Sequence, residues 1–325
     1  MDEDVTGAPE WAAECIVDAA QAAELIGAQF PGLRGAQVEP LATGWDNTVF
    51  LVGSGLVFRF PRRAVAVPGL QREMAVLPRL APLVPLPVPV PEFAGSPSAA
   101  YPWPFWGARL VPGRELAEAA LPDAARGDAA AGAGRFLRAL HSPGVAVALG
   151  PGLQVDPLRR GDVGLRAAWT RERLDRLARR GLWQPRDAAG RLLAEGGRLA
   201  AVEQEQTASP ARAGPSVVSP VVVHGDLHAR HLLVDDDGQA AGVIDFGDLC
   251  LADPAVDLSL AYGGFAGPAR AALLAGYGPV SSAQEIRARV LAMFLCAALA
   301  NYAASQGRTR LLREALNGLS RATEH

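Results

Sequence analysis

The chain contains no lysine; all 31 of its basic residues are arginine. Any cation that grips an anion here is therefore a planar, permanently charged fork, never a titratable ammonium. Cysteine is scarce. Cys15, Cys250 and Cys296 stand far apart, match no metal or redox spacing and offer no disulfide framework, so a reducing cytoplasm is the expected compartment. Met1 to Glu10 is acidic and lacks the basic-then-apolar order of a secretion signal. Long hydrophobic runs are missing as well. The longest late run, VLAMFLCAALA at 290–300, is too short to cross a bilayer and reads as a buried helix. Neither sign of charge is in excess. A net charge of −3 gives no ground for nucleic acid or an anionic membrane as a partner.

What is present suits one bilobal enzyme or two modest domains: 325 residues, half of them hydrophobic. An Ala-rich helix is predicted over 11–30, ended by Pro31-Gly32. Strands follow at 37–43, 48–52 and 56–60, joined by the turns GWDN (44–47) and GSG (53–55) into an antiparallel meander. A helix over 69–81 leads to the Pro-dense stretch 83–93, which must be extended and reads as a connector rather than a PxxP ligand. One more strand lies within 101–113. From there to about 220 the chain is helical, with a loop over 144–164; after a late hairpin, helices run to the end. The fold class is therefore α+β, with a mostly β first domain over 1–112 and a mostly helical second domain over 113–325. Residues 1–8, 207–216 and 320–325 are the stretches expected to lack order.

The hairpin is the most informative segment. VVV (221–223) is a short buried strand that runs into HGDLHARH (224–231). HLLV (231–234) and AGVID (241–245) are two further apolar runs, separated by DDDG (235–238), whose Asp-Gly favours the positive φ of a tight turn. In such a hairpin the first residue of one strand faces the last of the other, with Cα atoms roughly 5 Å apart. His231 and Asp245 should thus sit side by side at the open end, next to the loop that carries Asp226.

HGDLHARHLLVDDDGQAAGVIDFGDLCLADPAVDLSLAY (224–262) resembles the aminoglycoside phosphotransferase family, which has the bilobal protein-kinase fold and includes macrolide phosphotransferases and other small-molecule kinases. Weaker matches, GWDNTVFLV, LVFRFPRR, QREMAVLPRL and YPWPFWGARLVPG, extend the resemblance over about 35–265. It implies a catalytic Asp226 that orients the acceptor hydroxyl and takes its proton, and Asp245 as a ligand of Mg²⁺. It implies His231 as the second metal ligand, where the family usually has Asn; macrolide phosphotransferases can carry His there. Arg59 takes the place of the phosphate-gripping strand cation, with Glu73 as its partner. Arg62 and Arg63 are alternatives. Gly44, Asn47 and Thr48 would cover the nucleotide, and backbone groups of Ala108 to Val111, Arg109 and Val111 among them, would meet its base. ATP and GTP both remain open as donor.

His224 is expected to bond backbone around the metal segment, and His228 either touches substrate or packs. Asp253 and Asp257 are expected to brace the second domain by capping a helix. Gly225 stands where protein kinases carry an Arg that serves phosphoregulation, which implies an enzyme not switched in that way. After Tyr262 there are seven Arg against three Glu. With Trp169 and Trp183, that favours an apolar, macrolide-like acceptor over a polycationic aminoglycoside. Two other readings compete: a nucleotide- or ligand-binding pseudokinase, motivated by Arg59 and His231, and a zinc hydrolase built on His224, Asp226, His228 and His231. Monomer and dimer are equally open.

Overall fold

The computed structural model describes residues 12–208 and 219–324. The chain divides into two compact units. One reaches Ala81 and resumes over Val88–Val111; the other consists of Pro82–Pro87 and the chain from Pro112 onward. The Pro-rich residues 82–87 thus belong with the second unit, not the first.

In the first unit, α1 (Ala19–Gln29) is shorter than the expected 11–30 helix. Asp18 caps it, accepting from Gln21 N at 2.8 Å, and fixes the start there. Before the cap, the N–H groups of Glu14 and Cys15 donate to Arg62 O. The strands β1 (Val38–Thr43), β2 (Asn47–Val52) and β3 (Leu56–Pro61) form the expected meander. Next come α2 (Val67–Leu80), β4 (Pro91–Gly95) and β5 (Phe105–Arg109), and the sheet is antiparallel with order β1-β2-β3-β5-β4.

Strand alternation assigns two cores to this sheet. Phe50, Phe58, Phe60 and Phe105 cluster with Leu25 and Ile26 of α1; the Phe60 and Phe105 rings stack at 4.5 Å. The opposite parity, Val49, Leu51 and Val57, packs with Leu70 and Met74 of α2 and with Trp106. Arg59 belongs to that second parity, so β3 turns it toward α2.

The second unit begins with β6 (Arg114–Glu115) and α3 (Gly127–Leu140). It continues through α4 (Pro143–Leu149), α5 (Val163–Arg179) and α6 (Asp187–Ala208). The expected loop over 144–164 therefore opens with a two-turn helix, α4, for which Pro143 at the first helical position is the local cause. Then come β7 (Val221–Val223), β8 (Leu232–Val234), β9 (Ala240–Val243) and β10 (Cys250–Ala252). The helices α7 (Ala255–Gly263), α8 (Gly267–Tyr277), α9 (Ser282–Ser305) and α10 (Thr309–Thr323) complete it.

The late hairpin is β8–β9, with Leu232 opposite Val243. Its turn has Gly238 at φ 76°, and Asp235 Oδ1 accepts from Asp237 N and Gln239 N. β7 pairs with β10, a strand that sequence reading left out. α9 is 24 residues long and, by length and composition, could cross a membrane, which corrects the estimate from its 11-residue apolar core. It is instead largely buried, packed against α5, α6, α7 and α10. α10 runs through Thr323, so 320–323 are helical rather than disordered, and 207–208 end α6. The other stretches expected to be disordered, 1–8 and 209–216, lie outside the described residues, as does 325.

Candidate active site

In the second unit the chain leaves β7 at Val223 and forms the loop 224–231. Gly225 has φ 89°, and a Cβ there would lie 2.4 Å from the Asp248 carbonyl oxygen, so only glycine passes. The loop's backbone is held by Asp257, which accepts from His224 N at 2.7 Å and Gly225 N at 3.0 Å. His141 Nε2 lies 3.1 Å from the same carboxylate, and His141 Nδ1 is 3.0 Å from Tyr277 Oη. Burial, with Asp257 and Asp253 nearby, pushes the Tyr277 phenol up to about 12, so it stays a donor. Asp257 therefore braces the loop from within α7 and does not cap the helix, contrary to expectation. Asp253 does meet the helix start, accepting from Ala255 N at 2.8 Å. On the other side, Arg230 grips Glu115 with two bonds, at 3.1 and 3.2 Å.

His224 is fully buried. Its Nε2 donates to Ile244 O at 3.0 Å and its Nδ1 accepts from Asp226 N at 3.2 Å, which ties the loop to the end of β9. Burial holds both His224 and His228 below the ordinary imidazole range, so both are neutral.

His231 and Asp245 lie side by side at the open end of the hairpin, with His231 Nε2 3.4 Å from Asp245 Oδ2. Asp245 has a left-handed φ of 70°, uncommon outside glycine though tolerated by Asp. The tautomer of His231 follows from its partner. Nδ1 lies 2.8 Å from the Asp226 carbonyl oxygen, which can only accept, so Nδ1 carries the proton. The ring's Nε2 faces a carboxylate oxygen, and a shared cation would bridge the two. Metal-ligating histidines commonly donate their other N–H to a carbonyl in this way, so this donor set fits a divalent ion.

Asp226, His228 and His231 are also grouped, with one ligand atom from each lying within 4.8 Å of the others. His228 fits that role poorly. Its Nδ1 accepts from Arg230 N at 3.3 Å, which leaves the proton on Nε2, the atom facing Asp226. This tautomer argues against the zinc-hydrolase cluster.

Asp226 has a partner that sequence reading missed. Arg160 Nη1 donates to Asp226 Oδ1 at 2.9 Å, and Arg160 Nη2 pairs with Asp248. Burial raises the Asp226 pKa, but the opposite charge beside it, that of Arg160 foremost, outweighs burial and holds the carboxyl below its ordinary range. Its Oδ2 makes no hydrogen bond among the described residues.

In the first unit, Arg59 Nη1 donates to Glu73 Oε1 at 2.8 Å, and Trp106 Nε1 donates to Glu73 Oε2 at 3.2 Å. Asn47 shares the sheet face of Arg59. With its amide oxygen turned to the guanidinium, it accepts from Nη2 at 2.8 Å and Nε at 3.0 Å. Asn47, Thr48, Arg59 and Glu73 are all buried. Arg62 and Arg63 brace the GWDN turn instead: Arg62 donates to Gly44 O at 2.7 Å, and Arg63 Nε donates to Asp46 Oδ1 at 2.9 Å. A Cβ on Gly44 would meet only Asn47 O, at 3.7 Å, so packing within the unit does not demand glycine there. Arg109 is exposed and pairs with Glu92 at 3.2 Å; Val111 is buried at the end of the unit.

The profile of the phosphotransferase enzyme family (APH) matches residues 37–290. A curated relative, the uncharacterized protein YcbJ of Bacillus subtilis (strain 168), is 44% identical over 39 residues, 12% of this chain and 13% of that protein's length. Among solved structures, the GDP complex of wild-type aminoglycoside 2′-phosphotransferase-IIIa is 23% identical. It has a TM-score of 0.67 and covers 94% of this chain and 99% of that one. Macrolide 2′-phosphotransferase type I is 22% identical, with a TM-score of 0.55 and coverage of 94% and 98%. At these identities the likeness establishes the fold: an antiparallel sheet in the first unit and helices in most of the second, as in the protein-kinase-like phosphotransferases. The family profile spans most of the sequence, and the chain belongs to the phosphotransferase enzyme family.

Proposed function

We propose that the protein is a small-molecule kinase that moves the γ-phosphate of ATP or GTP to a hydroxyl of an antibiotic-like acceptor, with Asp226 as the base. The observation that carries this reading is the convergence of Asp226 with the His231–Asp245 pair at one end of the hairpin. The acceptor hydroxyl donates to Asp226 Oδ2. As its oxygen bonds to phosphorus, the bond from phosphorus to the leaving nucleoside diphosphate breaks and the hydroxyl proton passes to the carboxylate. His231 and Asp245 are the residues that would hold Mg²⁺, whose charge offsets that of the phosphate oxygens. Arg59, braced by Glu73 and Asn47, is the candidate phosphate grip, with Gly44 and Thr48 beside it and Arg109 to Val111 for the base.

The acceptor side favours a macrolide-like compound over a polycation. Arg166 and Arg173 lie 5.0 and 5.9 Å from the ring of Trp169, which is 37% exposed. Val155 and Leu158, in the loop that carries Arg160, are exposed. Cationic and apolar groups of this kind repel an aminoglycoside and suit a largely apolar acceptor. The occupied Asp226 Oδ1 favours a second reading, a nucleotide-binding protein without transferase activity. Acceptor-dependent ADP or GDP release with Mg²⁺, across macrolides, aminoglycosides and simple alcohols, separates the two. Release with one class supports the kinase; silence with every acceptor and both nucleotides removes it.

A further inference from the structure

We infer that Arg160 is a positioning residue for the transfer, fixing the Asp226 carboxylate so that Oδ1 is occupied and Oδ2 is left for the acceptor hydroxyl. The inference rests on the reading of Asp226 as the base. Arg160 comes from a loop 66 residues upstream and reaches Asp226 and Asp248 with its two terminal nitrogens. Its Nε makes no hydrogen bond among the described residues.

The loop around it is built at some cost. Asp156 and Arg159, both non-glycine, have positive φ values of 35° and 50°. The Asp156 carboxylate accepts from Arg160 N at 2.6 Å and Gly161 N at 2.8 Å. Arg166, at the start of α5, donates to Leu158 O at 2.7 Å and Arg159 O at 3.2 Å. Asp156 N donates to Leu251 O, and Leu251 N to Gln154 O, both at 2.9 Å. Leu251 lies in β10, which pairs with β7, the strand that delivers the Asp226 loop. Arg160 and Asp226 are thus hung from one strand pair, and their relation does not depend on a surface loop's freedom.

A carboxylate on a short loop would otherwise rotate about its side-chain torsions. A charge-assisted hydrogen bond to one oxygen stops that rotation without consuming the other. His228 Nε2, at 3.7 Å, and His231 Nδ1, at 4.0 Å, are too far from Oδ2 to compete with an incoming hydroxyl.

The test compares wild type, Arg160→Gln, Arg160→Lys and Asp226→Asn in Mg²⁺-dependent turnover of ATP and GTP, with a macrolide or with water as acceptor. Nucleotide Kd and melting temperature are measured on the same preparations. Arg160→Gln should lower kcat at least tenfold, with acceptor KM and nucleotide Kd held within twofold. Arg160→Lys should recover part of the rate, since an ammonium can hold one carboxylate but not fork across two. The positioning role is overturned by a Gln variant with kcat within twofold of wild type. A loss of rate matched by an equal loss of nucleotide binding or of melting temperature also overturns it, because Arg160 would then be a brace only. If wild type turns over neither nucleotide with any acceptor, the kinase reading fails on its own. Crystal structures of wild type and Arg160→Gln then test the geometry alone: an Asp226 carboxylate in the same orientation in both overturns the claim that Arg160 fixes it, and a reoriented one upholds that fixing.

Discussion

The Asp257 carboxylate accepts the backbone N–H of Gly225 at 3.0 Å, with its second oxygen on His224 N at 2.7 Å. A buried side chain in the first turn of α7 therefore sets the path of the loop on which Asp226 stands. Asp257→Ala leaves two buried N–H groups unpaired and should cost about 2–4 kcal/mol of stability. Asp257→Asn, which keeps one acceptor oxygen, should cost less. Chemical denaturation of both variants checks this; equal, negligible losses would mean that water replaces the carboxylate.

Asp226→Ala is expected to lower kcat by roughly 10²–10⁴-fold, the usual range for removal of a general base. Nucleotide affinity should persist, because no nucleotide contact is assigned to that side chain. Normal turnover by this variant would remove Asp226 from the mechanism.

For His231→Asn we expect retained activity with a shifted metal preference. Imidazole suits Mn²⁺ better than Mg²⁺, and an amide oxygen reverses that balance. The ratio of Mn²⁺- to Mg²⁺-supported rates should fall in the variant. An unchanged ratio would place His231 outside the metal's ligands.

Glu73→Ala would take the carboxylate from the buried Arg59 guanidinium, leaving it the neutral Asn47 acceptor, and would free Trp106 Nε1. Breaking a buried pair from one side costs about 3–5 kcal/mol. Nucleotide Kd should rise along with the loss of melting temperature. If stability drops while Kd stays constant, Arg59 is only structural.

The pH dependence of stability has a definite sign. Burial lowers the pKa values of His224 and His228 from the ordinary 6.5. Above that value both folded and unfolded chains hold them neutral. As pH falls below it, the unfolded chain takes up protons that the folded chain refuses, and stability drops. The melting temperature should fall between pH 7 and 5, and His228→Gln should flatten that slope. Asp226 acts in a separate window. Its pKa is depressed, so its contribution is present above the ordinary 3.8 and lost as pH falls below it. A slope between pH 7 and 5 unchanged by His228→Gln would remove His228 as its source.

How much of the site could be read in advance follows from how local each signal is. The hairpin and its Asp-Gly turn, within fifteen residues, bring His231 and Asp245 to the same end. The register, however, faces His231 with Ile244, whose N–H donates to His231 O at 3.0 Å, because a bulge in β8–β9 shifts it by one from the expected pairing. Asp245 reaches His231 from just past β9, with its φ of 70°. The Arg59–Glu73 pair was expected from resemblance alone, and strand parity now explains it, since Arg59 shares its face with the α2-packed valines. Arg160 was missed because nothing periodic marks it: its loop is held by side-chain bonds to its own backbone and by a bridge to β10. Asp257 was misread because a carboxylate in a helix's first turn ordinarily serves that helix, and its direction toward β7 is a tertiary fact. The start of α1 was misplaced because Ala-rich periodicity extends before Asp18, the residue that caps it.

The Arg59–Glu73 pair also has a bearing on chemical labelling. Reagents that mark kinases by acylating an amine beside the bound nucleotide need a lysine, and this sequence offers none. A guanidinium, which stays protonated across the working pH range, does not acylate under such conditions. Such labels should pass over the protein whether or not it holds nucleotide, whereas dicarbonyl reagents that condense with guanidinium groups should distinguish the buried Arg59 from the exposed Arg109.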